Sequence, residues 1–328
     1  MKTFRCAIAA AVVLTSLAFS AHADKPLDWQ PTATVEIANS KGKFDFLRVD
    51  ATRHRLLAAH ENDGTADFID LQKGSLIKRL TVGGPVDTAI DSDAKLYYLS
   101  VQKGQRVAVV DAASLKEINS IKVPGPTDAI LYEPKNHLIY VTHDDGTHVW
   151  VIDPASAKIV ATIVIPGAPE FMVYDQDKDR IYLNIKTKDT VAVIDPSKNS
   201  LVAEWSTGPA TQPHGLALDA ANHRVFAAGG NGKLAVIDTN TGTTTQVVDI
   251  APKVDQIAFD PAAGLLYCAG TGKMSVLRAG GAKLAVVGEI ATAETARNVA
   301  IDPGTSAVWT TYTDGKSSFA RSWMPPKP

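Results

Sequence analysis

The stretch YVTHDDGTHVWVIDP, residues 140–154, sets His143 and His148 around two aspartates and a glycine, and ends in an alternating apolar run closed by Asp153. That closing run recurs along the chain as ADFID (66–70), VAVVD (107–111), VWVID (149–153), VAVID (191–195) and LAVID (234–238), with a degraded copy, MSVLR, at 274–278. Successive closing aspartates lie 41, 42, 42 and 43 residues apart. A second series stands upstream of each run: RLLAAH, KLYYLS, LIYVTH, RIYLNI, RVFAAG, LLYCAG and AVWTTY, centred on Leu57, Tyr97, Tyr140, Tyr182, Phe226, Tyr267 and Trp309. A third series, ending in Asp50, Asp91, Glu133, Asp175, Asp219, Asp260 and Asp302, opens each unit.

Each unit adds a fourth β-branched run, such as INSIKV, VATIVI or TQVVDI, and Gly, Pro, Asp and Asn clusters separate the four. Four short strands in a repeat of roughly 40 to 45 residues specify a β-propeller blade. Alternation along VAVID sends side chains to both faces, as a sheet covered by a neighbouring blade on each side requires. The expected fold is therefore all-β, a seven-bladed propeller with four antiparallel strands per blade. The seventh unit ends without a fourth strand, whereas TATVEI, residues 32–37, precedes the first complete unit. This N-terminal strand is expected to complete the last blade and close the ring, removing an exposed edge.

The first 23 residues read differently. Lys2 and Arg5, an apolar run from Ala7 to Phe19, and Ala21-His22-Ala23 make the pattern of a cleavable secretory signal peptide. Residues 24–328 are then expected as a single propeller domain, periplasmic or secreted, with no membrane span, since no later run approaches about 20 apolar residues. Cleavage takes Cys6 and leaves Cys268 alone, so no internal disulfide can form and packing must hold the fold. It also removes two of 33 basic side chains and none of the 35 acidic ones. A mildly acidic chain lacks the basic field that nucleic-acid binding needs.

Tyr140-Val141-Thr142 followed by VxVID on a 42-residue period resembles the YVTN-repeat, YncE-like seven-bladed propellers of exported bacterial proteins. The resemblance covers essentially all of residues 24–328. It implies the fold, and a range of functions that includes lactonases and haem-binding propeller domains. The family's fourth motif residue is asparagine. Tyr182-Leu183-Asn184 keeps one at the end of its strand, whereas the Tyr140 unit carries His143.

Asp145-Gly146 falls between the second and third strands of its blade, as do Asp63-Gly64, Asn231-Gly232 and Asp314-Gly315, and such pairs suit tight hairpin turns. The ends of the second strands read His60, Ser100, His143, Ile185, Gly229, Gly270 and Tyr312. They share a face of the ring with the entrances to the innermost strands, read as Asp45, Asp87, Asp128, Glu170, His214, Asp255 and Arg297. Five acids, a histidine and an arginine around a channel mouth call for a cation or a cationic ligand, because like charges near one axis repel. His60, His143 and His214 are the candidate ligands of a divalent metal ion, which requires them to converge on one point. His148, at a strand start, is read as a sheet residue.

Other motifs fall away. Asp175-Gln176-Asp177-Lys178-Asp179 imitates a calcium loop, but Arg180 occupies its glycine position. There is no GxSxG nucleophile turn, no CxxCH and no phosphate-binding Gly-Lys-Ser/Thr loop. Cys268 in LLYCAG is a packing residue, and Trp150, Trp205 and Trp309 are inter-blade filling. The first functional reading is a non-catalytic module that holds a small ligand, a metal or a protein partner on the top face. The alternatives are a metal-assisted lactonase-type hydrolase or lyase, and a propeller binding a haem-like redox cofactor.

Overall fold

The apolar runs of the second and third strands are buried on both sides, and the first strands, like most of the third, end at an acidic side chain that caps the following turn. The structure, a computed structural model, describes residues 29–281 and 283–326. Residues 1–23, expected as a signal peptide, lie outside the described residues. No helix among the described residues is long and apolar enough to cross a membrane. Seven four-stranded antiparallel sheets surround a central channel. Blade one comprises Leu47–Asp50, Arg55–His60, Thr65–Asp70 and Ser75–Thr81, from the channel outward. Blade three repeats it with Thr127–Glu133, Leu138–His143, His148–Asp153 and Lys158–Val164.

The VxVID runs are the third strands, buried along almost their whole length: Val107, Ala108, Val149, Val151 and Ile152 are each fully covered. The outer strands alternate instead, and Lys158–Val164 runs from exposed to half-buried with only Ile163 fully enclosed. The recurrent acids explain themselves at the turns. Asp50, Asp91, Glu133, Asp175, Asp219, Asp260 and Asp302 each accept a backbone N–H from the turn that follows the innermost strand. Asp70, Asp111, Asp153, Asp195 and Asp238 do the same after the third strand. A carboxylate at these places satisfies N–H groups that neither strand can pair.

The last blade closes as expected. Ala300–Asp302, Ala307–Thr313 and Ser318–Trp323 form its three inner strands, and Pro31–Ile37 pairs antiparallel with the third, from Pro31 opposite Trp323 to Ile37 opposite Ser318. Ile37 is fully buried in a cluster with Leu56, Ile69, Trp309 and Ala320, so the first strand joins blade seven to blade one. Cys268 is likewise fully buried, among Phe226, Leu266 and Leu277, and Trp150 and Trp309 lie between blades. The Asp175–Asp179 segment is a hairpin turn, with Asp175 accepting from Lys178 N.

One expected alignment is corrected. Asp91 pairs with Leu96 as Asp50 pairs with Arg55. Counting from that pair, Tyr98 rather than Tyr97 is the counterpart of Tyr140, and Val101 rather than Ser100 that of His143. By the same count Val86, not Asp87, is the counterpart of Asp45. In a strand a one-residue shift turns a side chain to the other face.

Candidate binding site at the channel mouth

The entrances of the innermost strands surround a cavity of about 330 Å³. Asp45, Asp128, Glu170, His214, Asp255 and Arg297 line it, with Val86 completing the seven. Asp87 is absent from this wall for the register reason given above. Fully buried, it holds Arg48 through two hydrogen bonds, 2.8 Å from Nε and 2.7 Å from Nη2, and accepts the N–H groups of Thr88 and Ile130. Asp87 thus ties the innermost strands of blades one, two and three together. The Arg48 guanidinium lies 4.1 Å from the Phe171 ring centre, and Phe171 packs against Phe46 at 4.9 Å. Phe46 lines the mouth from below, while Arg48 and Phe171 line a second, more apolar cavity at the other end of the channel.

Five further residues complete the wall: Lys43, Glu61, Gln102, Asp144 and Lys186. The last four are each the residue immediately after a second strand, in blades one to four. Extending the second-strand series by one residue would have found them. The wall therefore carries six carboxylates against the three cations Lys43, Lys186 and Arg297. Lys43 pairs with Asp45 at 3.0 Å and Glu61 at 3.5 Å, Lys186 with Glu170 at 2.7 Å, and Arg297 with Asp255 at 2.9 Å. Gln102 donates to Asp144 at 2.6 Å. Asp128 has neither an ion pair nor a side-chain hydrogen bond among the described residues, although only 7% of it is exposed.

These surroundings set the protonation of the wall. Burial, followed by the charges of Glu170, Asp45 and Asp144, pushes the Asp128 carboxyl well above the usual carboxylate range. Burial pushes Asp45 up to about 7, against the pull of Lys43. At Lys43 and Lys186 burial works against the charged form, but the neighbouring carboxylates outweigh it and both ammonium groups are held firmly protonated. His214 donates from Nδ1 to the Gln212 carbonyl at 2.7 Å, which leaves Nε2, 3.8 Å from Glu170 Oε1, toward the cavity.

The three candidate metal histidines do not meet. His60 is fully buried, bonded through Nδ1 to Asp67 at 3.0 Å and stacked on Phe44 with ring centres 3.8 Å apart. The His143 ring lies against Trp150, 5.0 Å between centres, in a slot that Gly146 and Gly125 keep open. A Cβ on Gly146 would stand 2.1 Å from His143 Nδ1. No three His, Cys, Asp or Glu side chains among the described residues are grouped to hold a metal ion. The turn itself is as expected: Asp145 takes the positive φ of 50° and its exposed carboxylate meets Lys186 at 2.9 Å, while His148 begins the third strand. A mouth walled by charged side chains also lacks the apolar slot that a haem-like macrocycle needs.

Residues 82–273, more than half of the chain, match the family model described as Domain of unknown function (DUF5074). The chain belongs to the DUF5074 family. The DUF5074 match takes in all of blades two to five, and with them Val86, Asp128, Glu170, His214 and Asp255, while Asp45 and Arg297 lie outside it. No curated protein matches the chain. Among solved structures, the RRP9 WD40 repeats superpose with a TM-score of 0.76 at 11% identity, covering 90% of this chain and 100% of that one. U3-55K gives 0.74 at 11% identity, covering 88% and 98%. The hydrazine synthase of Kuenenia stuttgartiensis gives 0.70 at 15% identity, covering 84% and 95%. Identities this low speak for the propeller fold alone.

Proposed function

We propose that the protein is an exported, YncE-like propeller that acts as a non-catalytic binding module and holds a small organic cation at the top of its channel. The leader pattern of residues 1–23 supports export, and the YVT and VxVID repeats support the kinship. The binding reading rests on Asp128, a carboxylate in the cavity wall with no ion pair among the described residues, in a ring whose acids outnumber its cations. A ligand ammonium would supply the missing charge and let Asp128 ionise. Lys43, Lys186 and Arg297 already neutralise Asp45, Glu170 and Asp255, so discrimination falls to Asp128, with Asp144 and His214 beside it. The metal-assisted hydrolase or lyase and the haem-like reading have no comparable feature to support them.

Calorimetric titration of residues 24–328 with choline, spermidine and lysine methyl ester, in the presence of a chelator, tests this. At least one of these cations should bind, and Asp128→Asn should weaken that binding by about tenfold or more, the usual scale for removing one partner of a charge-assisted contact. Failure of all three cations to bind, or undiminished binding by Asp128→Asn, would sink the proposal.

A further inference from the structure

At the end of the ring away from the mouth, the junction between blades two and three lacks the arginine or lysine brace that its neighbours have, and only the Tyr132 hydroxyl of blade three reaches across it to Asp91 of blade two. Between blades one and two, Arg55 Nη1 donates to the Ala112 carbonyl at 2.7 Å. Between blades five and six, Arg224 Nη2 reaches the Ala279 carbonyl at 2.6 Å. Arg55 and Arg224 both begin second strands, and Ala112 and Ala279 both follow third strands. Between blades four and five the brace is Lys178 to Thr239, at 2.6 Å. Between blades three and four it is Lys135 to Asp179. In blade two the residue at the Arg55 position is Leu96. Pro154, the counterpart of Ala112, therefore receives no side-chain donor from blade two among the described residues.

A second donor is missing at the same place. Leu71, Ala112, Thr239 and Ala279 each donate their backbone N–H to the carbonyl just before the second strand, at His54, Lys95, His223 and Gly264. Proline has no N–H, so Pro154 cannot supply His137. Blade four has the same gap at Pro196, and there Arg180 Nη1 fills it by donating to the Asp179 carbonyl at 2.6 Å. Blade three has Leu138 where blade four has Arg180. Tyr98, 1% exposed, adds a hydroxyl with no hydrogen-bond partner among the described residues.

Leu96, Tyr98, His137, Leu138, Asp153 and Pro154 all line one groove of about 600 Å³, with Asp91 and the 53% exposed Val160 at its walls. The groove has two carboxylates and neither lysine nor arginine. The Ser156 hydroxyl and the Ala155 N–H hold the Asp153 carboxyl below the usual range, so it stays charged. We propose that this groove receives an arginine side chain from a partner protein, whose guanidinium takes the place that Arg55, Arg180 and Arg224 fill elsewhere in the ring. A guanidinium presents five donors in a fixed plane, which suits two carbonyls, a hydroxyl and a carboxylate better than an ammonium does. Its aliphatic stem would lie on Leu96, Leu138 and Val160. The groove is larger than one side chain and leaves room for the residues flanking the arginine.

The test is a titration of residues 24–328 with acetyl-Gly-Arg-Gly-amide, its citrulline counterpart and free arginine. The arginine peptide should bind about tenfold more tightly than the citrulline peptide, which has the same shape without the charge, and at least as tightly as free arginine. Leu96→Arg supplies the guanidinium from within and should abolish peptide binding while raising the melting temperature. Tyr98→Phe keeps the ring, removes only the hydroxyl and should weaken binding about threefold. Equal binding of the citrulline peptide, unchanged binding by either folded variant, or tighter binding of free arginine, which would make this a small-molecule site, overturns the proposal.

Discussion

Asp87 and Asp128 are both buried aspartates on innermost strands, and their roles are opposite. Asp87 is matched by Arg48 and two backbone N–H groups, so Asp87→Ala strands a partly buried guanidinium and should cost about 3–5 kcal/mol. Asp128 has no ion pair or side-chain hydrogen bond among the described residues, and only the charge of Lys186 works against its burial. Its folded-state pKa lies above the unfolded value, and so does that of Asp45, at about 7. The folded protein then binds more protons than the unfolded chain, and the stability this confers is lost as pH rises from about 4 through about 7. Asp128→Asn should accordingly melt higher than the parent at pH 7.5 and together with it at pH 4, as followed by circular dichroism. A lower melting temperature at pH 7.5 would mean that the carboxylate has a stabilising partner. The two aspartates look alike in the sequence because only a one-residue register separates their positions. Counting back from the turn aspartate Asp91, rather than forward from Asp45, puts Val86 in the ring.

At the scale of strands and turns, most of the architecture was legible. The VxVID runs, the aromatic second strands and the seven turn acids each follow from local chemistry: two-sided burial for the first two, capping of N–H groups for the third. The candidate site was half legible, because strand entrances repeat with the blade whereas hairpin residues such as Glu61, Gln102, Asp144 and Lys186 share a place and no residue type. The histidines were misleading for another reason. Gly125 and Gly146 shape a slot for the His143 ring, and no sequence pattern distinguishes a glycine kept for φ from one kept for a neighbour. Gly146 does not have a positive φ, so Gly146→Ala should be destabilising by about 1–3 kcal/mol through the collision with His143 alone. The double variant with His143→Asn should regain most of that loss in a denaturant titration. A Gly146→Ala variant as stable as the parent would refute the slot.

Across the whole molecule, the ring depends on a strand borrowed from the opposite end of the chain. Removing residues 24–38 takes out Ile37, fully buried, and leaves Ser318–Trp323 as an open edge. That variant should be insoluble or melt far below the parent, because loss of one buried isoleucine alone costs about 2–5 kcal/mol and an unpaired edge invites aggregation. Melting within a degree or so of the parent would show that the ring holds without its clasp.

The clasp also fixes an order of events. Glu36 and Ser317, hydrogen-bonded in the finished ring, are separated by 281 residues. The six blades that use only consecutive strands can each form as soon as their own segment is available, by short-range pairing. The seventh cannot, and the segment available earliest in a chain made from its N-terminus is the one docked last. Until then Pro31–Ile37 is an unpaired strand, exposed for the whole time that the rest of the ring takes to assemble. Contacts this distant in sequence are slow to form, so ring closure sets the interval during which the protein can be caught by a chaperone, a protease or another copy of itself.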